Sequence, residues 1–141
     1  MKPFSENERQ EFLAATHVAV LSVAAADGRP PATVPIWYEY TPGGDIRLTT
    51  SASSRKAKLI EWAGAVSLAV QREEPPYQYV VVEGTVVDSE PTPREFHEAI
   101  AIKYLGEAGA RTFMQNFEGM ESTLFTIRPD RWITADFRGV L

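Results

Sequence analysis

Residues 48–58 read Leu48-Thr49-Thr50-Ser51-Ala52-Ser53-Ser54-Arg55-Lys56-Ala57-Lys58. A strand ends here, a hydroxyl-rich loop follows, and a helix opens with two cations in its first turn. The turn Pro42-Gly43-Gly44-Asp45 leads into a short strand over Ile46 to Thr50, and the pattern predicts a helix from Ser54 to Glu61. A helix start has free N–H groups and a partial positive charge, so it attracts phosphate and disfavours cations by about a few tenths of a kcal/mol each. Arg55 and Lys56 side by side make local sense when an anion neutralises them. Arginine can hold two phosphate oxygens at once, and the serine and threonine hydroxyls add donors. The plainer alternative is that Ser53 or Ser54 caps the helix while Arg55, Lys56 and Lys58 stay solvated. The segment alone supports both.

The wider charge pattern favours the anion. Between Ile46 and Arg72 stand Arg47, Arg55, Lys56, Lys58 and Arg72 against one acid, Glu61, in a chain of net charge −5. A basic island in an acidic protein points to an anionic ligand, whereas the total argues against general nucleic-acid binding.

Working outward, Ser5-Glu6-Asn7-Glu8 has the form of a capping box and predicts a helix over Glu6 to Ala15. His17 to Ala24 reads as a strand, Asp27-Gly28 as a turn, and Ala32 to Tyr40 as a returning strand. Pro35 cannot donate to a ladder, so it places that strand at an edge or bulge, where a flat ring could reach free backbone groups; Trp37, Tyr38 and Tyr40 lie nearby. Further strands are expected over Ala65 to Gln71 and Tyr77 to Val87. Pro93 at a first helical position begins a helix with Phe96, Ala99, Ile100, Lys103 and Tyr104 on one face. Gly106 ends that helix, and a shorter one is expected near Arg111 to Asn116. Two closing strands, Ser122 to Arg128 and Arg131 to Asp136, are divided by Pro129-Asp130. About six antiparallel strands with peripheral helices predict a mainly β, α+β fold: a closed or nearly closed barrel forming one domain over residues 1–141.

The 141 residues suit one core, and 44% hydrophobic residues with 23% charged ones are ordinary for a globular chain. There is no cysteine, no apolar run of signal-peptide type and no membrane-length segment, so a cytoplasmic protein is expected. His17 and His97 lie too far apart for a recognised metal pattern. His17, at a strand start, reads as structural, and His97 as solvent-exposed on a polar helix face. Phe96, Ile100 and Tyr104 read as a stripe that packs on the barrel. Glu83 reads as a partner for some cation, and the N-terminal helix as a solvated acidic face.

Taken in order, three segments resemble the pyridoxamine 5′-phosphate oxidase superfamily of flavin and deazaflavin split β-barrel oxidoreductases. They are Ala32-Thr33-Val34-Pro35-Ile36-Trp37-Tyr38, the run Thr50 to Leu59, and Pro76-Tyr77-Gln78-Tyr79-Val80-Val81-Val82-Glu83-Gly84. The resemblance spans Phe4 to Val87 and, more loosely, Ser122 to Asp136. It implies that Thr50, Ser54, Arg55 and Lys56 bind the cofactor phosphate, and that Val34, Pro35, Ile36 and Trp37 line the ring. It further implies a homodimer with cofactor sites at the interface, which Gln78, Tyr79 and Trp132 would approach from the partner chain. Pyridoxamine phosphate oxidases proper carry Arg-x-His near the C-terminus, where this chain reads Arg131-Trp132-Ile133. The short chain and the Tyr77 to Gly84 strand look more like the members that use the deazaflavin coenzyme F420, with FMN as the competitor. The implied reaction is hydride transfer to a small electron-poor molecule, with water, Tyr38 or Tyr79 supplying the proton. A carrier or sensor of the cofactor without turnover, and a heme-binding relative with a histidine ligand, are the alternatives.

Overall fold

The computed structural model describes residues 1–140. Its elements are α1 (Glu6–Ala14), β1 (Ala19–Val23), β2 (Ala32–Ile36), β3 (Glu39–Tyr40), β4 (Ile46–Ser51), α2 (Arg55–Ala63), β5 (Ala65–Arg72), β6 (Gln78–Pro91), α3 (Arg94–Asn116) and β7 (Ser122–Asp136). The expected capping box forms: Ser5 Oγ accepts from the Glu8 amide, and the Glu8 carboxylate accepts from the Ser5 amide. Among the described residues no helix is long and apolar enough to cross a membrane.

The strands make one antiparallel sheet in the order β2-β1-β5-β6-β7-β4-β3. β2 and β3 lie at opposite edges, yet Trp37 and Tyr38 alone separate them in sequence. Three peptide steps span at most about 11 Å, so the sheet must curl until its edges almost meet. No ladder joins those edges, and the result is a split barrel of seven strands.

Two strand boundaries differ from expectation for that reason. The run Ala32 to Tyr40 is not one strand, because its first half pairs with β1 and its last two residues pair with β4. The closing segment is one strand rather than two. Between Arg131↔Glu83 and Pro129↔Gly84, Asp130 is an extra residue, and a second irregularity leaves Val87 extra on β6. Pro129-Asp130 is thus a bulge that bends a long strand, and a bulge tolerates the proline that a regular ladder would not. Edge placement of Pro35, on β2, agrees with the sequence reading.

Alternation builds the core. Ala19, Leu21 and Val23 of β1, Ile46 and Leu48 of β4, Val66, Leu68 and Val70 of β5, and Val80 and Val82 of β6 all point inward. Leu13 of α1 and Ala57, Leu59 and Ile60 of α2 complete it. Gly84 sits where β6 crosses the bulge. A Cβ there would stand 2.5 Å from Ile127 Cγ2 and 2.7 Å from the Arg128 carbonyl oxygen. Gly84→Ala is therefore expected to cost about 1–3 kcal/mol, the size of an overpacking defect, read as a lower urea midpoint with an unchanged m-value. A midpoint equal to wild type would show that the bulge yields freely.

The sheet is pinned to the N-terminus through Asp136, whose side chain is buried and takes the Arg138 guanidinium on both oxygens, at 3.1 and 2.8 Å from Nε. Arg138 also donates to Glu8 at 2.8 Å. The hydrogen bond from Arg138 is the main reason the Asp136 carboxyl lies below its ordinary value. Because the folded value is lowered, this contribution is complete above the unfolded value and fades as pH falls through the folded one. Denaturation followed from about pH 5 down to about pH 2 should show Asp136→Asn losing less stability than wild type over that interval; equal slopes would remove Asp136 as a contributor to acid sensitivity.

Candidate functional site

The segment that opened the sequence reading folds nearly as expected. β4 ends at Ser51, and α2 begins at Arg55 behind an N-cap at Ser54. Ser54 Oγ accepts from the Ala57 amide at 3.2 Å and donates to the Ser51 carbonyl at 2.8 Å. Its hydroxyl proton is thus spent on the loop, so Ser54 shapes the helix start. The Arg55 and Lys56 amides, by contrast, find no acceptor among the described residues. These two donors, with two cationic side chains beside them, form an anion cradle of the kind helix starts provide.

Part of the basic island is accounted for within the chain. Arg47 forms a two-pronged pair with Glu39, at 3.0 and 2.8 Å, and Arg72 donates to the Glu74 carbonyl at 3.1 Å. Among the described residues Arg55, Lys56 and Lys58 form no ion pair. Arg55 and Lys58 are exposed, while Lys56 is half-buried.

Lys56 is half-buried because it lines a cleft of about 490 Å³ that also contains Thr50, Pro35, Ile36 and Trp37. The fold therefore brings one edge strand and the start of α2 to a single opening, although eighteen residues of chain lie between Trp37 and Lys56. A cleft of this size lies within the ordinary range for cofactor sites. Its walls are mixed: Thr49, Thr50, Ser51 and Lys56 supply polar groups, and Ile100, Phe113, Phe117 and Met120 supply apolar surface.

Val34 does not line the cleft; it packs toward the core. Gln78, Tyr79 and Trp132 also lie outside it. Gln78 and Tyr79 sit on β6 opposite Asp136 and Ala135. The Trp132 ring lies beneath the Arg9 guanidinium, 4.3 Å from its centroid, and meets Tyr40 edge-on. None of the three touches the cleft from within the same chain.

Tyr38 is not available as a proton donor. It is fully buried, its hydroxyl donates to the Leu13 carbonyl at 2.5 Å, and burial pushes the phenol far above its ordinary value. Its backbone is held by Tyr104, whose hydroxyl donates to the His17 carbonyl at 2.6 Å and accepts from the Tyr38 amide at 3.1 Å. The Tyr104 ring stacks on Trp37 with centroids 4.8 Å apart and planes 4° from parallel. Phe96 and Ile100 are buried on Leu124, as the helical stripe suggested.

The histidines part ways. His17 stacks on Phe12 at 4.6 Å and is structural in its contacts. His97 is not exposed on a polar face. It is half-buried, lines the cleft, and meets Phe113 edge-to-face at 5.4 Å and 87°. Burial lowers the values of both imidazoles. Phe113 and Phe117 escaped the sequence reading, and His97 was placed there on the solvent side, since nothing local showed which side of the late helix meets the edge strand. The i, i+4 aromatic pair Phe113/Phe117 was the available signal. Glu83 does find a cation, Arg131, but loosely, at 3.7 Å on the surface. Among the described residues no cluster of three or more His, Cys, Asp or Glu could hold a metal.

Comparison with known proteins agrees with this architecture. The chain is similar in structure to an F420 reductase, at 22% identity and a TM-score of 0.72, over 88% of this chain and 94% of that one. A conserved hypothetical protein from Mycobacterium tuberculosis gives 22% identity and a TM-score of 0.72, over 96% and 86%. A FAD-binding protein from Mesorhizobium loti gives 21% and 0.66, over 94% and 93%. At such identities the likeness speaks for the fold. No curated protein sequence matches the chain. The model of the pyridoxamine 5′-phosphate oxidase family matches residues 5–135, and with nearly the whole chain inside that match, the protein belongs to this family.

Proposed function

We propose that the protein is an oxidoreductase that binds a phosphate-bearing flavin-type ring, coenzyme F420 in first place and FMN in second, and reduces a small electron-poor molecule. One observation carries the reading: Lys56 of the anion cradle at the start of α2 and the edge strand Pro35–Trp37 line the same cleft. Thr50 and Lys56 on the cleft wall suit a phosphate, with Arg55 exposed beside Lys56 at the helix start and Ser54 holding the loop in shape. Pro35, Ile36 and the backbone of the edge strand offer a flat bed for a ring, and Trp37 is held rigid by its stack on Tyr104. When bound and reduced, such a ring supplies the hydride. What the chain contributes is grip at the phosphate, orientation along β2, and apolar side chains that keep water from the ring.

The F420 reductase and the FAD-binding protein among the structural neighbours support a flavin or deazaflavin. The reading includes a homodimer, because Gln78, Tyr79 and Trp132 can approach a cleft only from a second copy. Titration with F420 and with FMN, followed by quenching of cofactor fluorescence, tests it. Saturable binding of F420, tighter than that of FMN, is expected, together with a dimer by light scattering. Binding of neither would end the reading, and a monomer would remove Gln78, Tyr79 and Trp132 from the site.

A further inference from the structure

We propose that Lys103 and Tyr104 are positioning residues for the cofactor ring: they clasp α3 across the split in the barrel, so that seating of α3 and binding of a flavin-type ring are coupled. This rests on the reading above for the identity of the ring, and it adds to the site two residues outside the cleft.

The split leaves backbone groups in need of partners. The ladder of β2 ends where Ile36 faces Ala19, and that of β3 begins where Glu39 faces Arg47, so Trp37 and Tyr38 belong to neither edge. Tyr38 is fully buried, and a buried amide or carbonyl without a partner is costly. Side chains of α3 supply the partners. The Tyr104 hydroxyl accepts from the Tyr38 amide at 3.1 Å and donates to the His17 carbonyl at 2.6 Å, which ties the crossing to the residues leading into β1. The Lys103 ammonium donates to the Tyr38 carbonyl at 3.2 Å. Both backbone groups of Tyr38 are thus held by two adjacent residues of one helix. The Tyr104 ring also lies parallel to Trp37, which lines the cleft. One residue therefore fixes the crossing by its oxygen and the ring bed by its face.

Few other holds keep α3 in place. Of its 23 residues only Phe96, Ile100, Ala101 and Ala110 are buried, and Gly106 breaks it in the middle. Yet α3 gives His97, Ile100 and Phe113 to the cleft wall, and its C-cap residue Phe117 joins them. A wall attached this lightly opens at a lower free energy than the sheet behind it. Phe113, beyond Gly106, lies 5.3 Å from Trp37, so both halves of α3 reach the ring bed through one indole. A ring that binds when α3 is seated must in turn hold α3 down, by the same factor in each direction.

Two measurements decide the matter, with Tyr104→Phe, which keeps the stack on Trp37 and removes the hydroxyl, and Lys103→Met, which keeps the stem and removes the donor. Hydrogen exchange of the chain without cofactor comes first. In the wild type, residues 94–116 should exchange faster than the central strands β5 and β6, and in each variant faster again by about 3- to 10-fold, the range for one lost hydrogen bond. Exchange of α3 as slow as that of β5 and β6, or unchanged in both variants, overturns the clasp. The second arm adds whichever of F420 and FMN binds. Binding to the wild type should slow exchange of residues 94–116. Tyr104→Phe should raise the Kd by the same 3- to 10-fold, roughly, and alter the visible circular dichroism of the ring at saturation. Where FMN binds, riboflavin should lose the same factor, because the clasp acts on the ring and not on the phosphate. A variant that folds with a lowered urea midpoint but keeps the wild-type Kd and dichroism makes Tyr104 a purely structural contact and overturns the assignment. If neither F420 nor FMN binds, the oxidoreductase reading falls and the exchange arm alone judges the clasp.

Discussion

Lys56→Ala should weaken binding of a phosphate-bearing cofactor by about 1.5–3 kcal/mol, the size of a hydrogen bond to a charged group, or roughly 10- to 150-fold in Kd. Lys56 is the cation of α2 that lines the cleft; for Arg55, exposed beside it at the helix start, the alanine variant should lose the lower part of that range. Lys58, exposed and outside the cleft, supplies the control, and its alanine variant should bind as wild type does. A chemical control is sharper. Riboflavin has the ring of FMN without the phosphate, so Lys56→Ala should leave riboflavin affinity unchanged while FMN affinity drops. Equal losses for both ligands would place Lys56 against the ring and move the phosphate elsewhere. Unchanged FMN binding in both Lys56→Ala and Arg55→Ala would remove the anion cradle from the site. Raising the salt concentration should weaken FMN more than riboflavin, since part of the difference is screened Coulomb attraction.

Tyr38→Ala should destabilise the fold by about 3–5 kcal/mol, the range for deleting a large aromatic side chain from a core. Tyr38 is among the largest fully buried side chains, and it occupies the step where the chain passes from one sheet edge to the other. Its hydroxyl ties that step to α1 through the Leu13 carbonyl, and the Lys103 ammonium lies 5.1 Å over its ring. Tyr38→Phe keeps the ring and strands the Leu13 carbonyl, so about 1–3 kcal/mol is expected. Urea denaturation reads both. With domain stability in the range of about 5–15 kcal/mol, Tyr38→Ala should bring the protein close to the edge of folding, whereas Tyr38→Phe should fold and, since the phenol is withdrawn from the cleft, reduce substrate at the wild-type rate. A large loss of kcat in folded Tyr38→Phe would reinstate Tyr38 as a participant in the chemistry. The two variants thus separate a structural residue from a chemical one.

Much of this protein follows from local rules acting on short stretches. The capping box at Ser5–Glu8, the hydroxyl loop before Arg55, the alternation in β1, β4 and β5, and the edge position implied by Pro35 each depend on neighbours a few residues away. Local chemistry also singled out Lys56, because two cations in a first helical turn are costly without an anion. Barrel curvature lay beyond such rules. Ala32 to Tyr40 has the composition of one strand, and only closure of the sheet decides that Ile36 pairs to one side and Glu39 to the other. Pro129-Asp130 has the composition of a turn, and pairing with β6 along its whole length makes it a bulge. The fate of the histidines and tyrosines was equally non-local. Gly106 interrupts α3 with φ 77° and ψ 174°, and the direction the chain takes beyond it brings Phe113 onto Trp37 and His97. Sequence spacing reports which residues share a face of one element. Which face meets which is settled by burial of apolar surface across the whole chain, and that is where a solvated histidine became a cleft residue and a candidate acid became a core plug.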